Sequence, residues 1–519
     1  MTSSSHAFGL RQTAKNILFN SINFIVSVLI GFWYTPFLLS RLGSALFGFI
    51  PLATSVTNYF SILTYSLNIS IGRNITLELE RGDTLKANQL FNTTQIAILL
   101  LILLSIPLSI VLVIFVPTLF EIPVGRERDV QLLFTGVIAA FLLGTYGINY
   151  SLATFAKNRF DLRTIVALGA RIVQILIIIA LFSANKPNLI HVGLGAIGAA
   201  LFNLIGDYYL WRILLPALRA RWKDFRKSNL ALLFRTGGWT FVYQAGFVLF
   251  LNIDLLVANR ILDFGLAGMY GALLIIPKNL RMMSMAIGGV WGPSVLAKYS
   301  KFDIQGMDEI VGTGVKLMGF VLALTVGLLC GLAGPFLDIW LGSDFRSLTW
   351  VLVIMLFPLA TNLIVTPFFY IHVSFNKLKI PALIELGLGL SNLFLAICLT
   401  PQYKTMGLVL AGGLTLTLYF SIFAPVYAAK IMGLPWTHYL KRLGLITLST
   451  LGVTLVAYFL NKTIPLTSYL HLIIGAGLIS TGYLALVYFL GLSSTEKELM
   501  GSFLSKETGN NQNGFNDPL

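Results

Sequence analysis

Lys278 and Arg281 stand three residues apart in the otherwise apolar stretch ALLIIPKNLRMMSMAIGG. At that spacing they share one face of a helix. A cation inside lipid is costly unless it is paired or hydrated, so an intramembrane lysine or arginine marks a candidate site. Lys278 falls about 13 residues, ~20 Å at the helical rise, from the cytoplasmic end of its segment, too deep to snorkel to the interface. Pro277, immediately before it, predicts a kink of the kind that lines a cavity. Two readings are open: a cationic wall that binds an anionic substrate group, or an internal ion pair, with Asp254 as the partner. Asp254 itself, in LNIDLLVANR, has three roles open to it. It could couple transport to an ion, pair with Lys278, or be a carboxylate near the interface.

Other ionisable and polar residues fall inside apolar segments. Arg171 lies about two turns from a cytoplasmic end, where snorkelling and ligand contact are both open. Lys316 reads as snorkelling, and Asp207 as an interfacial neighbour of Arg212. Glu385 follows Pro381 in a first helical turn, where the helix dipole favours a carboxylate. Asn16, Asn20, Asn23 and Ser27 keep helical spacing along the first segment, and Tyr146, Asn149 and Tyr150 cluster in the fourth. Tyr243, Gln244 and Asn252 do so in the seventh, and Tyr370 and His372 end the tenth. Such groups either hydrogen-bond between helices or wet a cavity able to hold a sugar. There is no metal-ligand spacing, no phosphate-cradling glycine loop and no acidic pair on a water-facing loop, so neither catalysis nor a bound metal is expected. Cys330 and Cys398 both lie in apolar runs, which excludes a disulfide scaffold, a zinc ribbon and an iron–sulfur site.

The elements that must carry these residues follow from composition. Of 519 residues, 11% are charged and 56% hydrophobic, and the mean hydropathy is +0.82. An ordinary soluble protein is about 25% charged, so the chain is expected to be an all-α polytopic membrane protein. A bilayer core needs about 20 apolar residues per helix. Fourteen segments qualify, roughly 16–40, 46–71, 91–117, 130–154, 164–183, 192–211, 236–259, 266–291, 311–333, 347–371, 380–399, 406–429, 443–460 and 468–491. Their apolar runs are continuous rather than alternating, which excludes a β-barrel. The first is too long for a cleaved leader and follows Arg11 and Lys15, so it reads as a retained helix.

With both termini cytoplasmic, 24 of the 36 Lys and Arg fall in inside regions and 8 in outside loops. That bias accounts for the net charge of +15 as membrane topology and gives no reason to expect nucleic acid. The basic run RARWKDFRK at 219–227 divides the chain. Residues 41–48 (RLGSALFG) and 260–271 (RILDFGLAGMYG) close corresponding hairpins about 220 positions apart. Gly72 and Gly292 sit at matching exits, and Thr84–Asn92 matches Ile304–Gly312. The expected organisation is a six-helix lobe over 1–218, a basic linker over 219–235 and a second six-helix lobe over 236–429. Two further helices over 430–492 and a disordered tail over 493–519 complete it. The repeats run parallel, as in transporters that work by alternating access.

Together the fourteen segments, TPFLLSRLGSALFGFI in the first hairpin, and Asp254 followed by a glycine-containing turn and GMYGALLII resemble one family over nearly the whole chain. It is that of the polysaccharide or O-antigen flippases of the multidrug/oligosaccharidyl-lipid/polysaccharide (MOP) exporter superfamily. The resemblance implies a multi-pass protein of the bacterial inner membrane that moves polyprenyl-pyrophosphate-linked oligosaccharides to the outer leaflet for surface polysaccharide synthesis. Lys278 and Arg281 would hold the pyrophosphate, helped by Arg171. Asn20, Asn23, Tyr146, Asn149, Tyr243 and Gln244 would face the glycan. The lipid tail would lie in an apolar groove. Protons or sodium entering through Asp254 or Glu385 would reset the cycle, with no other cofactor. Membrane lipids, a polysaccharide polymerase and chain-length machinery are the expected partners. Related flippases of peptidoglycan precursors carry cavity arginines in the first, second and eighth spans. Here only the eighth has matching cations, since Lys15 and Arg73 lie near span ends, which favours a capsule, O-antigen or exopolysaccharide unit. The alternatives are a multidrug exporter of the same superfamily, which would favour acidic cavity residues, and a membrane glycan polymerase. The latter would need a larger outer loop than these dozen-residue connections.

Overall fold

The computed structural model describes residues 2–229, 238–289, 291–493 and 497. Parts of the expected linker and the expected tail beyond Ser493, save Lys497, lie outside the described residues. The first helices are α1 (Thr2–Phe47), α2 (Phe49–Glu80), α3 (Thr84–Leu119), α4 (Glu127–Ala156), α5 (Phe160–Ala184) and α6 (Leu189–Leu214). After the linker come α7 (Gly238–Ile261), α8 (Phe264–Leu273), α9 (Ile275–Gly288), α10 (Trp291–Ser300), α11 (Ile304–Gly331), α12 (Ala333–Leu341), α13 (Thr349–Leu356) and α14 (Thr366–Ser374). The last are α15 (Lys379–Tyr403), α16 (Thr405–Leu416), α17 (Ala424–Ile431), α18 (Leu440–Thr463) and α19 (Tyr469–Leu486). No strand occurs among the described residues. The protein is an all-α polytopic membrane protein.

Twelve of the described helices are long and apolar enough to cross a membrane. The other two expected segments are helical as well. The second is α2, and the eighth is the pair α8 and α9, which meet at Leu274. The break has a local cause, because Pro277 has no N–H to give the carbonyl of Leu273. The ladder resumes with the N–H of Lys278 on the carbonyl of Leu274 at 3.2 Å. α1 runs on through the expected first hairpin. Its turn is made at Gly43, whose φ of 77° suits a residue without Cβ.

Packing groups the described chain into two compact units, Met1–Met283 with Lys377–Tyr419, and Ser284–Asn376 with Phe420–Leu519. In the first, α15 joins α7 although about 120 residues of chain separate them. A Cβ on Gly246 would sit 2.5 Å from the Leu386 nitrogen, and one on Gly389 would sit 3.0 Å from the Gly246 carbonyl oxygen, so the two backbones touch. A second core gathers Phe91, Tyr150 and Trp211, the rings of Phe91 and Trp211 stacked at 5.3 Å. The basic linker is held on α3. Asn88 and Asn92 accept from the N–H groups of Arg219 and Arg221 at 2.7 and 2.6 Å, and Thr93 from that of Arg226 at 3.1 Å. In the second unit, α11 lays a glycine face against α18, with Gly319 under Ile446 and Gly327 under Val453.

The sequence repeat has local structural counterparts. Asp83 caps α3 by accepting from the N–H of Lys86, and Asp303, 220 positions on, caps α11 by accepting from that of Gly306. Gly82 and Phe302, just before them, both have positive φ. The ammonium of Lys298 at 2.7 Å and the Gly306 N–H hold the Asp303 carboxyl below the usual carboxylate range. Gly48 and Gly268, also 220 apart, meet face to face, since a Cβ on Gly48 would lie 2.7 Å from the Gly268 Cα.

Candidate functional site

The charged residues inside the first unit form two neighbouring groups. In one, Arg171 of α5 acts electrostatically on Lys278 of α9 and on the phenol of Tyr34 of α1. No carboxylate lies within ion-pair distance of Lys278 or Arg171 among the described residues. Both side chains are exposed. In the other group, Arg281 is half-buried and feels both Asp254 of α7 and Glu385 of α15. The helical turn between Lys278 and Arg281 therefore separates a cation facing a cation from a cation facing two acids.

Asp254 is held by neutral donors. Tyr270 donates to one carboxylate oxygen at 3.2 Å and Asn392 to the other at 3.1 Å. Asn392 is 0% exposed, its carbonyl oxygen has no partner, and its amide also reaches the Phe250 carbonyl at 3.5 Å. Gly412 of α16 packs beside it, a Cβ there lying in ordinary contact 3.6 Å from the Asp254 carboxylate. The ion pair offered above between Asp254 and Lys278 is corrected by this geometry. The cation that acts on Asp254 is Arg281, one helical turn further along.

Glu385 is 2% exposed and one of its oxygens is buried without a hydrogen-bond partner. Tyr419 bonds it while also lying 3.5 Å from the Pro381 carbonyl. Tyr419 sits in a widened π-helical turn, Thr417–Phe423, a deformation that recurs at functional sites. Burial this deep also corrects the picture of Glu385 as a mere first-turn dipole partner. It is one of the acids facing Arg281.

The remaining expected contacts distribute unevenly. Tyr243 is half-buried, stacks on Phe247 at 6.5 Å and is electrostatically linked to Tyr419, so it belongs with the acidic group. Gln244 is half-buried beside it on α7. Asn149 is 0% exposed and donates to the Phe91 carbonyl at 3.1 Å and to Gln95 at 2.8 Å. Tyr146 accepts from Tyr150 at 3.2 Å in the aromatic core. Asn149 thus ties α4 to α3 and leaves the glycan-facing set, whereas the bond at Tyr146 stays within α4 and its ring packs on the aromatic core. Asn20 accepts from Thr164 at 3.3 Å, joining α1 to α5, and Asn23 is half-buried on the same side of α1.

Sequence reasoning overlooked Asn392, Tyr270, Tyr419 and Tyr34. Asn392 was detectable, since it follows Glu385 by seven residues and so returns to the same helical face. Tyr270 lies within the quoted GMYG. Nothing local pointed to Tyr34 or Tyr419, whose partners come from other spans.

A membrane protein of Bacillus subtilis, EpsK, is 31% identical over 501 residues, which cover 95% of this chain and 98% of EpsK. The chain belongs to the EpsK family. No protein-family model matches it. Solved structures show the fold of the MOP superfamily in this EpsK relative. The lipid II flippase MurJ, in an inward closed conformation, matches with a TM-score of 0.62 at 18% identity, over 91% of this chain and 99% of MurJ. A multidrug resistance MATE transporter of the MOP superfamily, inward-facing, matches at 0.55 and 14% identity, over 78% and 95% of the two chains. A MOP superfamily transporter from Pyrococcus furiosus, described as having a binding pocket of reverse polarity, matches at 0.53 and 15%, over 86% and 95%.

Proposed function

We propose that this EpsK-family chain is a flippase that carries polyprenyl-pyrophosphate-linked oligosaccharide units from the cytoplasmic to the outer leaflet of the bacterial inner membrane. It works by alternating access, for surface polysaccharide synthesis, and hands its product to a polymerase and chain-length machinery. The observation that carries the reading is that Arg171 and Lys278 act on one another electrostatically while neither has a carboxylate within ion-pair distance among the described residues. Like charges at close range in a low-dielectric site repel, and a pyrophosphate placed there relieves the repulsion while gaining charge-assisted hydrogen bonds. A diphosphate cannot cross bare lipid, so a cationic seat is what transfer requires. A multidrug exporter for cationic compounds would be repelled by the same pair.

Arg281 provides a route to ion coupling. Its charge is shared by Asp254, Glu385 and any anion seated beside Lys278. A proton or sodium ion entering at Asp254 or Glu385 would reset the cycle once the pyrophosphate has left. The chemistry needs no cofactor beyond an ion gradient. The test is inner-to-outer movement of a fluorescent polyprenyl-pyrophosphate oligosaccharide in liposomes. Arg171→Ala/Lys278→Ala is expected to slow it at least about ten-fold, the worth of one lost charge-assisted contact, with the fold intact. Equal rates would overturn the reading.

A further inference from the structure

The basic run 219–227 (RARWKDFRK) carries five cations and one acid. Runs of like charge ordinarily stay disordered, because their charges repel. This one is tied along α3 as a strap. The chain enters it through Leu215 and Leu218, which are 4% and 0% exposed in the aromatic core with Phe91 and Trp211. Asn92 then grips the backbone from both sides. Its amide donates to the carbonyl of Arg219 at 2.9 Å, and its oxygen accepts from the N–H of Arg221 at 2.6 Å. Asn88 accepts from the N–H of Arg219, and Thr93 from that of Arg226. Asn92 and Thr93 are themselves buried. Asn88 also donates to the Asp224 carboxylate at 2.6 Å, which turns the one acid of the run back onto the protein. Arg219, Arg221, Lys223, Arg226 and Lys227 are all exposed, and none has an ion-pair partner among the described residues. The strap is thus fixed by its backbone and by Asp224, which leaves its cations together on the outside.

The depth of the strap identifies its partner. The apolar run of α3 opens at Ile96, and Asn88, Asn92 and Thr93 precede it by eight, four and three residues. At the helical rise these offsets are ~5–12 Å, and the head-group layer extends about 5–8 Å beyond the hydrocarbon. α6, which leads into the strap, exposes Tyr209 and Ile213 at 64% and 55% in its last two turns, as on a face that meets lipid. Five cations are therefore held at head-group depth, beside a lipid-facing surface, at the end that the charge bias assigns to the cytoplasm. Cations so placed meet lipid phosphates before they meet a soluble protein, and basic residues next to a span are drawn to an anionic leaflet. We infer that residues 219–227 bind anionic phospholipids of the inner leaflet and gather them at the cytoplasmic ends of α3 and α6. The inference does not depend on the transported substrate.

The test reads lipid composition at the strap itself. In full-length protein with Cys330→Ala/Cys398→Ala, a fluorophore is attached at Ser228→Cys, an exposed position directly after the strap. The labelled protein is placed in phosphatidylcholine nanodiscs, and quenching by spin-labelled phosphatidylglycerol is compared with quenching by spin-labelled phosphatidylcholine. Phosphatidylglycerol is expected to be preferred at least about five-fold, the worth of one cation beside an anionic leaflet. Arg221→Gln/Lys223→Gln/Arg226→Gln removes three exposed charges and none of the bonds that hold the strap. It is expected to bring the preference to within about two-fold of equality. Arg128→Gln/Lys186→Gln/Lys404→Gln, three exposed cations in the loops assigned to the outside, is expected to leave the preference unchanged. Equal quenching by the two lipids, or an undiminished preference in the strap variant, would overturn the proposal. An equal loss in the outer-loop variant would do so too, because it marks net charge and not the strap. Binding of a polyglutamate peptide that phosphatidylglycerol does not reduce would also overturn it, by marking a seat for an acidic protein.

Discussion

Arg281 is where the acids of α7 and α15 converge, and its removal has two separable effects. Deleting the half-buried arginine leaves Asp254 and Glu385 without their neighbouring cation, so Arg281→Ala is expected to lower the thermal midpoint in detergent. Neutralising one orphaned acid relieves that cost, so Arg281→Ala/Glu385→Gln is expected to recover a good part of it. Equal instability of the single and double variants would show that the arginine and Glu385 do not interact. Asp254→Asn keeps the shape and one oxygen able to accept from Tyr270 or Asn392 while removing the charge. It is expected to leave lipid-linked substrate movement independent of an imposed proton or sodium gradient, and persistence of coupling would remove Asp254 from that role. At this scale the sequence was poor on which pairs the charged residues form. Lys278, Arg281, Asp254 and Glu385 announce themselves by the cost of charge in lipid. Whether Lys278 or Arg281 answers Asp254 depends on how α9 is rotated after the break at Leu274.

At the scale of elements, small residues decide which helices meet. α15 carries a direct comparison. A Cβ at Gly389 would press on the Gly246 carbonyl at 3.0 Å, whereas nothing lies within 4 Å of one at Gly387. Overpacking costs about 1–3 kcal/mol and a glycine-to-alanine change in an open helix gains up to ~1 kcal/mol. Gly389→Ala is therefore expected to lower the thermal midpoint and Gly387→Ala to raise it slightly. Changes of the same sign and size would mean that α7 and α15 do not touch backbone to backbone. The Gly48–Gly268 contact joins equivalent points of the repeat, so that α1 packs on α8 while α2 packs on α7. Proline punctuation was legible in advance, as Pro277 shows. The widened turn that carries Tyr419 was not, because an inserted helical residue leaves no mark in composition.

For the molecule as a whole, the charge bias makes a topological prediction. In a variant lacking Cys330 and Cys398, a cysteine placed at Lys223 is expected to react with an impermeant thiol reagent only after the cells are opened. One placed at Arg126 is expected to react in intact cells. The reverse pattern would invert the assigned orientation. The chain by itself determined that this is an all-helical membrane protein and nearly every span. Both follow from transfer free energies and charges that a short stretch of sequence carries within itself. Only the tertiary structure decided that Asp254 is held by Tyr270 and Asn392, that Arg171 acts on Lys278, and that Asn149 belongs to the core. Those partners lie on helices distant in sequence, brought together where glycines allow close approach, and no local property of the chain encodes which helix will be opposite.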